Sequence, residues 1–140
     1  MAKVEIVKEK QQITFGNDNI VIAKYFSGIK GGRALNVEGY TEKNILAGQV
    51  IIKLENGEYA PLGVAGGKYT ALPEGASYAG ILTHSMDKNC GASIMTNGEV
   101  NKVAMPYQLT TAGAEGAEVS FEAAFAKALP HIVFIEDEED

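Results

Sequence analysis

Short apolar runs separated by glycine-containing turns dominate the middle of the chain. The runs read AGQVIIKLENGEYAPLG, YAGILTHSM and GASIMTNGEVNKVAMPY within residues 47–107. Runs of this length, rich in β-branched and aromatic residues and bounded by glycine and asparagine, are typical of strands. Asn56-Gly57 and Asn97-Gly98 each separate two runs, and Asn-Gly suits a type I′ turn because both residues tolerate positive φ. The pattern therefore predicts two hairpins, which join residues 49–54 to 59–62 and residues 92–96 to 99–105.

The spacing of apolar residues changes near the C-terminus. In residues 120–129, SFEAAFAKAL, apolar side chains recur at helical spacing and predict one short helix. Ser120 is the predicted N-cap, since its hydroxyl can accept an otherwise unpaired backbone N–H. Pro130 ends the helix, and residues 131–135, HIVFI, predict a closing strand. The predicted fold class is mainly β (α+β), a small mixed-β fold with two Asn-Gly hairpins, one short C-terminal helix and a closing strand.

The first 40 residues carry a weaker pattern. Val4 and Ile6, with Glu5 between them, predict a short strand, and residues 19–26, NIVIAKYF, predict a longer one. Residues 27–33, SGIKGGR, predict a flexible connector because three glycines restrain the backbone little. Two interpretations stay open for this region: an extra hairpin on the main fold, or an arm that becomes ordered by adding a strand to a partner. The predicted parts of the chain are an N-terminal arm or hairpin region (1–40), a β-rich domain (41–135) and an acidic tail (136–140).

Charge and composition narrow the classes of protein. The net charge is −6, but the last five residues are all acidic, so the remainder has 13 acids against 12 bases. A nearly neutral body lacks the basic surface that nucleic acid requires, so we expect no nucleic-acid partner. No apolar run approaches the length of about 18 residues that would span a membrane. The N-terminus MAKVEIVKEK has no apolar signal core, which favours a protein made in the cytoplasm.

Candidate catalytic and cofactor motifs fail on spacing. The segment GVAGGKYT, residues 63–70, has one residue too few between its glycines for a phosphate-binding loop. His84, Ser85 and Asp87 combine a base, a nucleophile and a carboxylate, but neighbouring strand positions point to opposite faces. Cys90 is the only cysteine, so it forms no internal disulfide and offers no zinc-ligand spacing. We therefore predict no catalytic residue, no cofactor and no metal site, and we expect the protein not to be an enzyme.

The tyrosines are better candidates for function, because each offers a large apolar ring with a polar tip that suits protein interfaces. Individually, a tyrosine of this kind is more often packed in the core or at its rim, whereas together the tyrosines on a β scaffold with glycine loops fit a protein that binds another protein. The candidates for contacts at the surface or between copies are Tyr59, Tyr69, Tyr78 and Tyr107.

The order of several short motifs resembles the head decoration proteins of tailed phages, the family of the lambda decoration protein. The motifs that carry the resemblance are LAGQVI (46–51), NGEYAP (56–61), AGIL (79–82), GEV (98–100) and the helix and strand that end the domain (121–135). Each motif is common alone, and their order gives the resemblance its weight. It covers roughly the last 95 residues of the chain.

The resemblance implies a virion protein with a mixed-β fold. Such a protein is made in the host cytoplasm, assembles as a homotrimer and caps local threefold sites of a mature capsid. There it cements the major capsid protein against the pressure of packaged DNA. The family's N-terminal arm lies on the capsid, so the implied contact candidates are the large apolar residues of this region, Val4, Ile6, Phe15, Tyr25 and Phe26. This chain departs from the family in its longer, more strand-like N-terminal region and in its EDEED tail.

Two alternative functions suit the same β scaffold. One is a head fibre or host-adhesion module on the virion surface. The other is a small β-barrel that binds a small ligand, which would require a concave pocket with converging polar groups.

Overall fold

The computed structural model describes residues 18–40, 42–65, 67–87, 91–112 and 118–136. The fold in these residues is mainly β, which confirms the predicted class. The helical elements are α1 (Asp18–Val21), a 3₁₀ helix (Lys102–Ala104) and α2 (Glu122–Ala128). The strands are β1 (Ile22–Arg33), β2 (Asn44–Ile45), β3 (Val50–Lys53), β4 (Tyr59–Pro61), β5 (Val64–Ala65), β6 (Lys68–Tyr69), β7 (Ser77–Leu82), β8 (Met86–Asp87), β9 (Ala92–Asn101), β10 (Thr110–Ala112), β11 (Glu118–Ser120) and β12 (Ile132–Ile135).

The main sheet is built around β9. Its strand order is β1-β9-β7-β3-β4, and β12 also pairs with β9. β1 runs antiparallel along one edge of β9 from Ile22 opposite Val100 to Arg33 opposite Ala92. On the other edge, β7 pairs with the first half of β9 and β12 pairs, in parallel, with its last four residues. A four-stranded sheet (β11-β10-β6-β5) and the β2-β8 pair complete the fold.

The first predicted hairpin is confirmed, with a different turn. β3 and β4 pair antiparallel, and the Leu54 N–H donates to the Glu58 carbonyl at 2.7 Å. The loop therefore holds three residues, and the Gly57 N–H donates back to the Leu54 carbonyl at 2.9 Å. Gly57 has a φ of +91°, as the last position of a three-residue hairpin loop requires. The two-residue type I′ turn predicted at Asn56-Gly57 is thus one residue too short.

The second predicted hairpin is wrong, because Asn97-Gly98 lies inside the single strand β9. A Cβ at Gly98 would collide with the carbonyl oxygen of Lys24 on β1 and with the Sδ atom of Met95. Glycine is therefore needed here for the close approach of two strands. The strand ends at Asn101, whose Oδ1 accepts the Val103 N–H at 3.2 Å and starts the 3₁₀ helix.

The described part of the N-terminal region belongs to the main fold. α1 occupies part of the predicted strand at residues 19–26, and β1 includes residues 27–33, which were predicted to be a connector. Pairing with the long strand β9 explains this difference. The hydrogen bonds between β1 and β9 order a segment whose own residues have little preference for a strand. Val21 and Tyr40 are buried in the same core as the rest of the domain. The short strand predicted around Glu5 lies outside the described residues.

The C-terminal helix and strand are confirmed. α2 is slightly shorter than predicted, and Phe125 is its buried residue, with Phe121 and Leu129 packed beside the core. The Ser120 hydroxyl accepts the Glu122 N–H at 3.3 Å, although Phe121 occupies the cap position itself. β12 follows as the predicted closing strand.

Glu136, the first residue of the predicted acidic tail, lies beside the end of β12. The Lys102 ammonium is 3.0 Å from a Glu122 carboxylate oxygen and 3.5 Å from a Glu136 oxygen. Exposed ion pairs of this kind contribute little to stability. Residues 137–140 lie outside the described residues.

Candidate interaction surface

Tyr25 and Phe26 form an exposed aromatic pair on β1. The Tyr25 side chain is 50% exposed and that of Phe26 is 61% exposed. The ladder passes from Tyr25 opposite Gly98 to Ser27 opposite Asn97, so Phe26 is an extra residue in a β-bulge. A bulge changes the direction of consecutive side chains relative to a regular strand. The bulge therefore carries two aromatic side chains at consecutive positions, each at least half exposed.

The strand that carries the aromatic pair is an edge strand. Within the part of the chain that the structure describes, β1 pairs with β9 and has no strand on its other edge. Lys24 on β1, Glu99 on β9 and Val133 on β12 are in register across three strands, and Val133 is 51% exposed. Solvent thus covers this face of the sheet beside the aromatic pair. Exposed edges of this length are usable for partner binding, although bulges limit regular strand addition.

The other candidates in the N-terminal region lie outside the described residues. These are Val4, Ile6 and Phe15. Their predicted contact with a capsid stays a prediction.

Tyr59 lies on β4, which ends the strand order of the main sheet on the side away from β1, and the chain that follows β1 reaches it. Its ring is approached by two cations, the Arg33 guanidinium at 5.8 Å and the Lys53 ammonium at 5.9 Å from the ring centroid. Tyr59 is half-buried, and Leu35 forms a bridge with it. Sequence reasoning did not find this cluster, because its members come from three separate segments.

Tyr69, Tyr78 and Tyr107 belong to an aromatic cluster that joins the sheets to α2. Consecutive rings in the cluster lie 5.3–5.7 Å apart between centroids, and Tyr78 stacks on Phe121. The six members, in order of contact, are Tyr107, Tyr69, Phe121, Tyr78, Phe125 and Phe134. Tyr69 is only 1% exposed, so its side chain is not available at the surface of the folded chain, contrary to the prediction of a surface contact. Tyr78 and Tyr107 are half-buried, and their predicted role between copies stays a prediction.

A buried polar network explains why Tyr69 is inside. Its hydroxyl accepts the Val50 N–H at 3.0 Å, a backbone group that starts β3. Next to it, the Tyr40 hydroxyl donates to Gln49 Oε1 at 3.1 Å, and Gln49 Nε2 donates to the Leu62 carbonyl at 2.8 Å. Buried polar groups are tolerated when they are paired in this way.

Burial raises the pKa of several tyrosines above the ordinary value. For Tyr69, loss of solvation raises the pKa strongly, and the Val50 hydrogen bond opposes only part of this effect. For Tyr40, burial is the main cause and the neighbouring Tyr107 adds to it. The pKa values of Tyr78 and Tyr107 are also raised, mainly by burial.

The raised tyrosine pKa values predict a loss of stability at high pH. The unfolded chain releases its tyrosine protons near pH 10. The folded chain keeps the buried ones, so the unfolded state is favoured as pH rises above that value. We expect full stability below about pH 9, and a decline on the order of 1 kcal/mol per pH unit for Tyr69 alone above about pH 10. Urea unfolding across this range measures the decline, and tyrosinate absorbance follows the six tyrosines in folded and unfolded protein.

The Tyr69→Phe variant is the control for this pH dependence. It should be less stable at neutral pH, because the Val50 N–H loses its acceptor, and its stability should depend less on pH above about 10. Simultaneous titration of all tyrosines in the folded protein, with stability independent of pH, would contradict the prediction.

His84 and Ser85, the base and the nucleophile of the candidate catalytic motif, have different environments. His84 is exposed, whereas Ser85 is buried with its hydroxyl accepting the Ala47 N–H at 2.9 Å. The two side chains thus differ in burial, although both residues lie between β7 and β8 and not on a strand as the sequence argument assumed. Cys90 lies outside the described residues. In the described ranges, no group of three or more His, Cys, Asp or Glu side chains could hold a metal ion.

The segment considered as a phosphate-binding loop contains strands. β5 and β6 pair antiparallel within it, and the Thr70 N–H donates to the Gly63 carbonyl at 2.8 Å. A short hairpin therefore occupies this segment, and no helix follows it in the described residues 71–87 to bind a phosphate at its N-terminus.

A concave pocket of about 300 Å³ lies beside the first hairpin. Its floor is apolar, with Ile52 and Ala60, and its rim carries Asn36 and Glu38. Asn36 is engaged within the protein, since its Nδ2 donates to Glu58 at 2.9 Å and its Oδ1 accepts the Glu38 N–H at 3.1 Å. The Asn36 side chain is thus already paired within the protein, whereas a typical ligand site offers polar groups that converge on the ligand.

None of the helices in the described residues is long and apolar enough to cross a membrane. Comparison of the chain with protein-family models, with curated proteins and with solved structures found no match.

Proposed function

We propose that this protein is a structural virion protein that binds the outside of a phage capsid and stabilises the major capsid protein shell, acting as a trimer. The observation that carries the proposal is the aromatic pair, Tyr25 and Phe26, exposed on an edge strand. The order of motifs between residues 46 and 135, which resembles the head decoration proteins, supports it independently.

The chemistry of the aromatic pair suits this role. Aromatic side chains supply 150–250 Å² of contact each and are among the residues that dominate binding energy at interfaces. Each copy needs only modest affinity, because many copies acting on one shell multiply the stabilisation. A nearly neutral body also avoids repulsion between neighbouring copies.

Replacement of the aromatic pair by serine should weaken capsid binding without unfolding the protein. We expect Tyr25→Ser/Phe26→Ser to lower affinity for expanded, decoration-free phage capsids by at least about tenfold, a modest effect for two interface aromatics. Co-sedimentation with a panel of such capsids measures binding, and analytical sedimentation measures trimer formation. Thermal unfolding should change little, since at least half of each side chain is already exposed to solvent.

Val119→Ser is the matched control, because Val119 is 52% exposed but lies on β11 in the other sheet. It should bind capsids as the unmodified protein does. Equal weakening by both variants would argue against the aromatic pair as the contact. A monomer with no affinity for any expanded capsid would contradict the proposed function, and binding to cell-surface glycans instead would select a host-adhesion module.

A further inference from the structure

The same dipeptide, Asn-Gly, occurs in two opposite environments in this fold. Asn56-Gly57 lies exposed in the first hairpin turn, whereas Asn97-Gly98 lies in the middle of β9. Asparagine followed by glycine can react with its own backbone, because glycine has no side chain to block its amide nitrogen from the asparagine Cγ atom. The reaction requires the two residues to rotate, so the environment decides which site reacts.

The turn around Asn56 can rotate at small cost. Apart from its chain neighbours Asn56 and Glu58, no described residue has an atom within 4 Å of the position that a Cβ of Gly57 would occupy. Asn56 is held by two exposed hydrogen bonds, since its Oδ1 accepts the Glu58 N–H at 2.9 Å and its Nδ2 donates to Glu58 Oε1 at 3.1 Å. Water replaces exposed bonds of this kind easily, and local opening of a turn leaves the sheet intact.

The strand around Asn97 cannot rotate while the protein is folded. Gly98 is paired with Tyr25 on one side and with Ile132 on the other, and its N–H donates to the His131 carbonyl at 3.1 Å. The Lys24 carbonyl and the Met95 side chain fill the space beside it. Rotation at this site would require β1 or β12 to separate from β9.

We propose that Asn56 is a site of spontaneous deamidation, selected over Asn97 by the fold. The Gly57 amide nitrogen loses its proton to water and attacks Cγ of Asn56. A bond forms between nitrogen and Cγ, the Cγ–Nδ2 bond breaks, and Nδ2 leaves as ammonia after taking a proton from water. Water then opens the cyclic imide at either carbonyl and yields aspartate or isoaspartate, with no change of oxidation state.

Aspartate or isoaspartate at position 56 would alter the hairpin turn. Glu58 Oε1 accepts hydrogen bonds from the side-chain amides of both Asn36 and Asn56. Deamidation replaces one of these donors with a carboxylate facing Glu58, and like charges at this distance repel each other. Isoaspartate also lengthens the backbone of the turn by one atom. The modification therefore loosens the connection between β3 and β4 as the protein ages.

Peptide mapping by mass spectrometry tests the proposed selectivity. The native protein is incubated at mildly alkaline pH, and isoaspartate is detected separately by methylation with an isoaspartyl methyltransferase. We expect Asn56 to deamidate at least about tenfold faster than Asn97, which needs a difference of only about 1.4 kcal/mol in opening free energy. In urea, the two sites should react at similar rates. Equal rates in the folded protein, or a faster reaction at Asn97, would overturn the proposal.

A second measurement tests the effect on the turn. Asn56→Asp reproduces one product, and we expect it to lower the thermal midpoint. Adding Glu58→Gln should restore much of the loss, because the repulsion is then removed. A thermal midpoint unchanged by Asn56→Asp would refute the proposed loosening of the hairpin.

Discussion

Replacing Gly98 with alanine should destabilise the protein severely, by about 3 kcal/mol or more. The new Cβ would collide with the Lys24 carbonyl oxygen, which belongs to the backbone of β1 and cannot move aside as a side chain can. β1 and β9 would have to separate along the longest ladder of the sheet. Since small domains are stable by only about 5–15 kcal/mol, we expect poor folding at 37 °C. Urea unfolding, or the soluble yield if the variant does not fold, measures the effect.

Gly39→Ala is the control for this substitution. Gly39 has a φ of +79° but no atom within 4 Å of the position of a Cβ, so alanine meets backbone strain without a collision. We expect a loss of about 1–2 kcal/mol and a folded protein. If Gly39→Ala destabilised the protein as much as Gly98→Ala, the close approach of β1 and β9 would not be the reason that position 98 is glycine.

Truncation of Phe125 should have the next largest effect. Its ring is fully buried and contacts the rings of Tyr78 and Phe134, so it connects α2 to β7 and β12. Phe125→Ala removes these contacts and leaves a cavity, which typically costs about 3–5 kcal/mol. The lost packing should appear as a lower urea midpoint with an unchanged denaturant slope.

Phe26→Ala is the matched control for Phe125→Ala, because the same side chain is removed from a position that is 61% exposed. We expect a change within about 0.5 kcal/mol in free energy of unfolding, as for most surface substitutions. Comparison of the two variants therefore distinguishes a phenylalanine that stabilises the fold from one that is proposed to act in binding. A large loss from Phe26→Ala would mean that the aromatic pair supports the fold, and its proposed role in docking would lose its basis.

The features that sequence predicted well are local ones. The hairpin at Asn56-Gly57, the helix after Ser120 and the strand after Pro130 each depend on neighbouring residues, and each is present. Even the error in the first turn is local, since Asn-Gly fits both a two-residue loop and the end of a three-residue loop.

The features that sequence missed depend on distant partners. Asn97-Gly98 has the same local signal as Asn56-Gly57, but β1 and β12 pair with it from both sides and extend it as a strand. The prediction that residues 27–33 are a flexible connector failed for the same reason. These residues are ordered by pairing with β9, which is distant in the sequence.

The candidate surface was predicted in part. Tyr25 and Phe26 are exposed and lie on a strand that the pattern of residues 19–26 predicted, but the bulge at Phe26 depends on pairing with β9 and could not be inferred from that pattern. Tyr69 illustrates the opposite error, because its hydroxyl satisfies the Val50 N–H inside the core. The exposure of Val133 could not be predicted either. The closing strand is apolar at four consecutive positions, so no alternation of apolar and polar residues indicates which side chains face solvent.

The central position of β9 also determines how the chain must fold. Its partners come from near residue 22 at one end and residue 135 at the other, so the ladders that complete the main sheet join segments far apart in the sequence. Proteins dominated by such non-local contacts fold slowly, on the order of milliseconds to seconds. During synthesis, β9 leaves the ribosome well before β12 does. The sheet therefore closes only after β12 has emerged, and residues 98–101 of β9 lack their β12 partner until then.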